Sequence, residues 1–231
     1  MMTGFKVKNP IVPAQKGFFI WNPQNTSMYG GKNLKKIIVA GIIVFIMMVA
    51  AAVFLLFYRS RGSVRLIPEK EYEVNDLITS YDQREPEWKD EKLGNSSYTI
   101  GSSGCVLTCI TSAISDTEVK TTPKELNKLF SEKGVYDENG NLQWGILDKI
   151  DGFHTEVYDE VSQEIVDECL EEGRYPIVRV RTLQGTGANH YVLIVGAENG
   201  EYICMDPLKG NFTTLEEYGR KIFAVRCVWY E

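Results

Sequence analysis

The longest apolar stretch of the chain runs from Ile37 to Tyr58, IIVAGIIVFIMMVAAAVFLLFY, 22 residues without a charge. Wound as a helix at 1.5 Å per residue, it spans roughly the hydrocarbon thickness of a bilayer. It is apolar on every face, as helices of soluble proteins seldom are. A transmembrane helix over 37–58 is therefore expected. A cleaved signal peptide is the rival reading, because Ala50, Ala51 and Ala52 are small residues of the kind a signal peptidase accepts. Against it, the apolar run is longer than a signal core and continues through Phe54, Leu55, Leu56 and Phe57.

Beyond the span the pattern changes. Arg59 to about Asn75 reads as a charged linker, and residues 76–231 as the domain proper. That domain opens with TSYDQREPEWKDEKLGNSSYTIGSSG, which is rich in Gly, Ser and Asn and lacks a sustained period. In the following CVLTCITSAIS, Val106, Ile110, Ala113 and Ile114 fall at i, i+4, i+7 and i+8, which predicts a helix with one buried stripe and Cys105 in its first turn. Thr122-Pro123-Lys124-Glu125 supplies an N-cap and a proline at the first helical position, so a second helix is predicted to about Glu132. A third runs from about Ser162 to Glu171. After Tyr175-Pro176, the segments 177–181, 189–197, 202–206 and 222–228 are rich in β-branched and aromatic residues and predict an antiparallel sheet. Helices first and strands second give an α+β domain, its sheet covered on one side by the Cys105 helix.

Charge divides the 231 residues further. Residues 1–36 hold six lysines and no acid, residues 59–65 add three arginines, and residues 66–231 hold 16 basic against 31 acidic side chains. An acidic domain of that kind argues against a nucleic-acid partner. Lys32, Lys35 and Lys36 before the span nearly balance Arg59, Arg61 and Arg65 after it; Lys6, Lys8 and Lys16 tip the orientation to N-terminus inside, leaving the domain outside the cell membrane. Residues 1–36, with Pro10, Pro13 and Pro23, read as an unstructured cytoplasmic tail. Its Phe18, Phe19 and Trp21 suit contact with lipid or a short docking motif. Five cysteines and two histidines do not supply the paired ligands of a zinc finger, and no glycine-rich loop ends in Lys-Ser or Lys-Thr. Neither a metal nor another cofactor is expected.

The chemistry centres on Cys105. GSSGC places a thiol at a helix N-terminus, where unpaired amides and the helix dipole favour a thiolate. The alternatives are a disulfide or an inert buried cysteine. The odd cysteine count argues against complete pairing, and Cys109, one turn along, is poorly placed to bridge to Cys105. His190 heads HYVLIVGAENGEYICMDP after the glycine-rich LQGTGAN loop, and a thiol in contact with an imidazole forms a nucleophile–base pair. His154, at the start of a short predicted strand, reads as a surface residue. Asp206 is the candidate to orient His190. A three-residue turn over Glu198-Asn199-Gly200 would place Asp206 opposite Val192, on the face of His190; a two-residue Asn-Gly turn would place it opposite Leu193, on the wrong face. The mechanism therefore predicts the three-residue turn. The Cys105 amide and the Gln83 side chain are the candidate donors to an oxyanion, although Gln83 reads equally well as a solvated loop residue.

These residues resemble the papain-like cysteine peptidases, and among them most closely the group related to the peptidases that remove double-glycine leaders from bacteriocin precursors. The resemblance covers about residues 78–229. It rests on QREPEW from Gln83, on YTIGSSGCVLT around Cys105, on TPKELNKLF with the following Gly134-Val135-Tyr136, and on His190-Tyr191-Val192 followed by Asp206-Pro207. It implies a papain-like fold with Cys105 as nucleophile, His190 as general base and acid, Asp206 as orienting residue and Gln83 as oxyanion donor. In leader peptidases proper the domain is fused in the cytoplasm to a transporter, whereas here it follows a membrane span, so double-glycine cleavage is not carried over. Small cysteine amidases of the cell wall carry Asp-Cys before their helix, where this chain has Gly104-Cys105. The expectation is a membrane-anchored cysteine peptidase acting on a peptide or protein substrate outside the membrane. A peptide-binding or assembly module on the same fold, or a peptidoglycan-cleaving amidase, is the alternative.

Overall fold

The computed structural model describes residues 31–185 and 187–231. The tail reading over residues 1–30, including Lys6, Lys8, Lys16, Phe18, Phe19 and Trp21, lies outside them. Two units are distinguished, dividing between Val53 and Phe54. Helix α1 (Gly31–Ser60) contains the expected apolar run, and its Asn33–Tyr58 stretch is long and apolar enough to cross a membrane, with none of it buried.

The second unit is α+β. After a two-residue strand β1 (Val64–Arg65) and a long run of turns come α2 (Ile100–Ser103), α3 (Cys105–Ala113), α4 (Pro123–Glu132) and α5 (Trp144–Leu147). Then follow β2 (Phe153–Val157), α6 (Gln163–Glu171), β3 (Tyr175–Arg181), α7 (Thr182–Gly185), β4 (Asn189–Glu198), β5 (Glu201–Asp206), β6 (Asn211–Thr214), a 3₁₀ turn at Leu215–Tyr218, β7 (Lys221–Ile222) and β8 (Ala224–Tyr230). The main sheet has the order β2-β8-β3-β4-β5-β6 and is antiparallel at every junction. Helix α4 starts where the sequence predicts, with Thr122 and Glu125 forming a reciprocal capping box and Pro123 at the first position. Ser162 caps α6 through the Ile165 amide.

The sheet is covered on both faces, not on one. Leu107 and Ile110 of α3 and Phe130 of α4 cluster with Ile177, Leu193 and Val195. Val166 of α6 and Leu66 cluster with Val178, Val192, Ile194 and Tyr202. Burial on two sides explains why Val192 to Val195 is an unbroken apolar run without polar alternation. Part of the stretch read as linker joins this second layer. Val64 and Arg65 pair with β7, fully buried Leu66 donates its amide to Arg220 O at 2.8 Å, and Tyr72 and Ala197 exchange backbone hydrogen bonds of 2.9 and 3.0 Å. From Val64 onward the segment is a strap across the sheet.

Helix α3 also departs from its expected single stripe. From Leu107 to Ala113 every residue is buried, whereas Val106 is only half-buried. Its two threonine hydroxyls are satisfied inside the helix, Thr108 Oγ1 donating to Gly104 O and Thr111 Oγ1 to Leu107 O, each at 2.9 Å, whereas the buried Ser112 hydroxyl has no partner among the described residues. Polar letters in the sequence therefore concealed a helix buried on all sides.

Candidate active site

The thiol of Cys105 stands at the first position of α3, free and half-buried. The preceding GSSG segment is not a loose loop. Thr99 and Ser102 form a capping box that winds Ile100–Ser103 into the turn α2. Gly104 then joins the two helices, and a Cβ there would lie 2.6 Å from Ile100 O and 2.7 Å from its Cα. Only glycine allows α2 and α3 to meet so closely. Gly104 has no side chain to cap α3, so the opening amides of the helix are left to face whatever binds beside the sulfur.

His190, the second residue of β4, pairs with Val180 of β3 and is 3% exposed. Its Nε2 lies 2.7 Å from Asp206 Oδ1, and the Cys105 side chain is near enough to the ring to raise its pKa. Asp206, at the end of β5, is fully buried. Its Oδ1 also accepts from the Leu208 amide at 2.9 Å, and its Oδ2 accepts from the Tyr218 hydroxyl at 2.5 Å.

The route by which Asp206 arrives differs from the predicted one. Asn199 and Gly200 form a two-residue turn with φ of 53° and 77°, and Ala197 pairs with Tyr202. Asn-Gly is the favoured pair for such a turn because both positions need positive φ. Left uninterrupted, that register would put Asp206 opposite Leu193. A β-bulge between Ile194 and Gly196 shifts it by one, so that Leu193 pairs with Met205 and the next position along brings Asp206 opposite Val192. The turn prediction was wrong, and the bulge restores the face it was invoked to secure.

Electrostatics follow from this packing. Burial of the imidazole disfavours its charge, but the hydrogen bonds and charges of Asp206 and Cys105 outweigh it, and His190 is pushed up to about 9. Burial likewise disfavours the Asp206 carboxylate, yet hydrogen bonds from His190, Tyr218 and the Leu208 amide hold its pKa below the ordinary value. The imidazole Nε2 is held on the carboxylate, and the ring's other nitrogen is left for the sulfur.

Gln83 is buried rather than solvated. Its amide donates to Pro207 O at 2.8 Å and its Nε2 to Gly101 O at 3.0 Å. The first bond ties it to the residue after Asp206, the second to the turn before Cys105. One Nε2 hydrogen remains, and Oε1 has no partner. The structure therefore brings Cys105, His190 and Asp206 together and braces Gln83 between them. His154 lies apart from them at the edge of the sheet, exposed and stacked on Trp229 with ring centroids 5.3 Å apart.

Sequence reasoning missed Tyr218. No periodicity marks it, because it reaches Asp206 only after β6 and the 3₁₀ turn fold back. It also missed the disulfide Cys169–Cys227, which links α6 to β8. Cys109 and Cys204 are free but fully buried, and burial pushes both thiols well up. Among the described residues, no group of three or more His, Cys, Asp or Glu side chains could hold a metal ion. Beside Cys105 opens a cavity of about 410 Å³, walled by α3, the 136–144 segment, Leu93, Tyr98 and Tyr191. Compared with models of known protein families and with curated proteins, the sequence matches none.

Proposed function

We propose that this chain is a membrane-anchored thiol hydrolase with a papain-like fold, cleaving peptide or amide bonds outside the cytoplasmic membrane. The observation that carries the reading is His190, buried beside the free Cys105 thiol with its Nε2 held 2.7 Å from the Asp206 carboxylate. His190 takes the Cys105 proton as the sulfur attacks the substrate carbonyl carbon. The oxyanion that forms is met by the Cys105 amide and the remaining Gln83 Nε2 hydrogen. His190 then gives its proton to the departing amine. It takes one from water in the second step, and hydroxide attack on the thioester releases the acid and restores the thiol. Asp206 holds the imidazole in place through both steps.

Two features support a site outside the cytoplasm. The lysine-rich segment before the apolar span favours N-terminus inside, and the Cys169–Cys227 disulfide suits an oxidising compartment. The test is thiol labelling of the full chain in detergent with iodoacetamide at mildly acidic pH. Cys105 alone should react, since Cys109 and Cys204 are buried and Cys169 and Cys227 are bonded to each other. Equal reaction of Cys105, Cys109 and Cys204 would overturn the reading. A Cys105→Ala chain that retained full biological function would favour a binding module instead.

A further inference from the structure

The sheet face that packs on α3 carries two arginines without acidic partners. Tyr191, Arg179 and Ala224 stand abreast on β4, β3 and β8, and the next row ends in Arg226 on β8 and Val157 on β2. The middle of that face is buried at Ile177, Leu193 and Val195, whereas Arg179 and Arg226 are half-buried and Val157 is 46% exposed. Residues 66–231 hold 31 acidic side chains, and other cations of the domain are drawn to them: Arg174 pairs with Glu156 and Glu172, Arg220 with Glu201 and Glu216, and Lys70 with Glu171. Among the described residues, neither Arg179 nor Arg226 forms such a pair. Asp148, just after α5, is engaged by the Thr155 amide and hydroxyl instead.

A guanidinium has five N–H donors in a fixed fork. Arg179 Nη2 donates to Phe223 O at 3.1 Å and Arg226 Nη1 to Val225 O at 2.8 Å, and in each side chain a buried Nε has no partner. A buried donor left bare is costly. Here two such forks are diagonal neighbours across β3 and β8, close enough for long side chains to act on one group. Both also stand against the surroundings of the thiol. Tyr191, opposite Arg179, and Trp144, whose ring centroid lies 5.8 Å from the Arg226 guanidinium carbon, each wall the cavity that opens at Cys105. Arg181, next along this face of β3, lies over the Phe223 ring and adds a third positive charge to the row.

We infer that Arg179 and Arg226 form a carboxylate-binding shelf, which holds an acidic segment of the substrate along the sheet to one side of Cys105. The inference rests on the proposed hydrolase and names its substrate class: peptides with an Asp or Glu side chain, or a terminal carboxylate, a few residues from the bond attacked. Planar forks match the two oxygens of a carboxylate. The acidic surface elsewhere on the domain repels the same peptide, so the shelf sets the direction in which it lies.

The test uses the full chain in detergent with Cys105→Ala, so that nothing is cut, and rhodamine-labelled hexapeptides of one backbone read by fluorescence anisotropy. Three have amidated C-termini and carry paired Glu, Gln or Lys side chains; the fourth is the Gln peptide with a free C-terminus. The Glu peptide or the free-terminus peptide should bind about tenfold or more tighter than the amidated Gln and Lys peptides, and which of the two does so identifies the carboxylate that is read. The preference should shrink with added salt and vanish when Arg179→Gln and Arg226→Gln are combined. Lysine at both positions keeps the charge without the fork and should retain only part of it. Lys70→Gln removes a positive charge on the strap, beside Glu171 of α6, and should leave the preference intact. Equal binding of all four peptides, a preference that survives both glutamines, or one that falls as far in Lys70→Gln would overturn the shelf. Where the double glutamine chain does not fold, the lysine chain and the salt series decide, and a preference unmoved by both would overturn it. None of these readings needs the thiol, so failure of iodoacetamide to select Cys105 counts against the hydrolase and leaves the shelf to be decided by binding.

Discussion

Tyr218 donates its phenolic hydrogen to Asp206 Oδ2 at 2.5 Å, on the carboxylate oxygen that His190 does not use. With the Leu208 amide on Oδ1, both oxygens of a fully buried carboxylate are satisfied. Tyr218→Phe removes one donor without changing shape and leaves Oδ2 bare, at a cost of about 1–3 kcal/mol. Because that hydrogen bond helps hold Asp206 below its ordinary pKa, the variant's carboxylate should titrate higher. The acid limb of the kcat/KM profile should therefore move to higher pH. A merely structural tyrosine would lower stability and leave that limb where it was.

The His190 and Asp206 shifts set a window of stability. His190 is raised from 6.5 to about 9, so its contribution is fully present below pH 6.5 and fades as pH rises through about 9. Asp206 is depressed below 3.8, so its contribution is present above that value and is lost as pH falls through the lower, folded pKa. The urea midpoint of the wild type relative to His190→Gln should therefore be greatest between these limits and decline toward alkaline pH. Cys105→Ala should lower the His190 pKa, followed by imidazole proton resonances, because one of its two partners is gone. An unmoved titration would place sulfur and ring out of contact.

The disulfide between Cys169 and Cys227 closes a segment with a sequence separation of 58. Constraint of the unfolded chain by a loop of that length stabilises by about 4 kcal/mol. Reduction, or the double change Cys169→Ser and Cys227→Ser, should lower the urea-unfolding free energy by about that amount. Iodoacetamide should reach Cys169 and Cys227 only after reduction. Equal stability with and without reductant would count against the bond.

What could be read from the sequence was whatever depended on local chemistry. Thr122-Pro123-Lys124-Glu125 starts α4 because capping is settled within one turn. The apolar run in α1 needs no partner to be recognised. Cys105, His190 and Asp206 were singled out because each sits at the end of a patterned element, and Gln83 as a side-chain amide in the loop before the Cys105 helix. The two-sided burial of the sheet and the Leu66 strap were not seen, because they depend on which segments return across a face. Tyr218 and the Cys169–Cys227 pair are contacts between elements whose spacing in the chain says nothing of their distance. The bulge was hidden for a different reason: Val195 and Gly196 look like ordinary members of an apolar strand.

That bulge offers the sharpest test of how the site is assembled. Gly196 has φ +155°, and a Cβ there would lie 2.7 Å from Glu73 O and 2.8 Å from Val74 Cα, both backbone atoms of the strap. Gly196→Ala must push the strap off the sheet or flatten the bulge. Flattening returns the register set by the Asn199-Gly200 turn and turns Asp206 away from His190. Gly200 supplies the control. It also has positive φ, +77°, but a Cβ there meets nothing within 4 Å. Gly200→Ala should therefore cost only backbone strain, about 1 kcal/mol, without touching the register. Both variants should lower the urea midpoint, but only Gly196→Ala should also lower the His190 pKa and reduce the rate of Cys105 alkylation. If the two variants perturb His190 equally, or neither does, the bulge is not what aligns Asp206 with the imidazole.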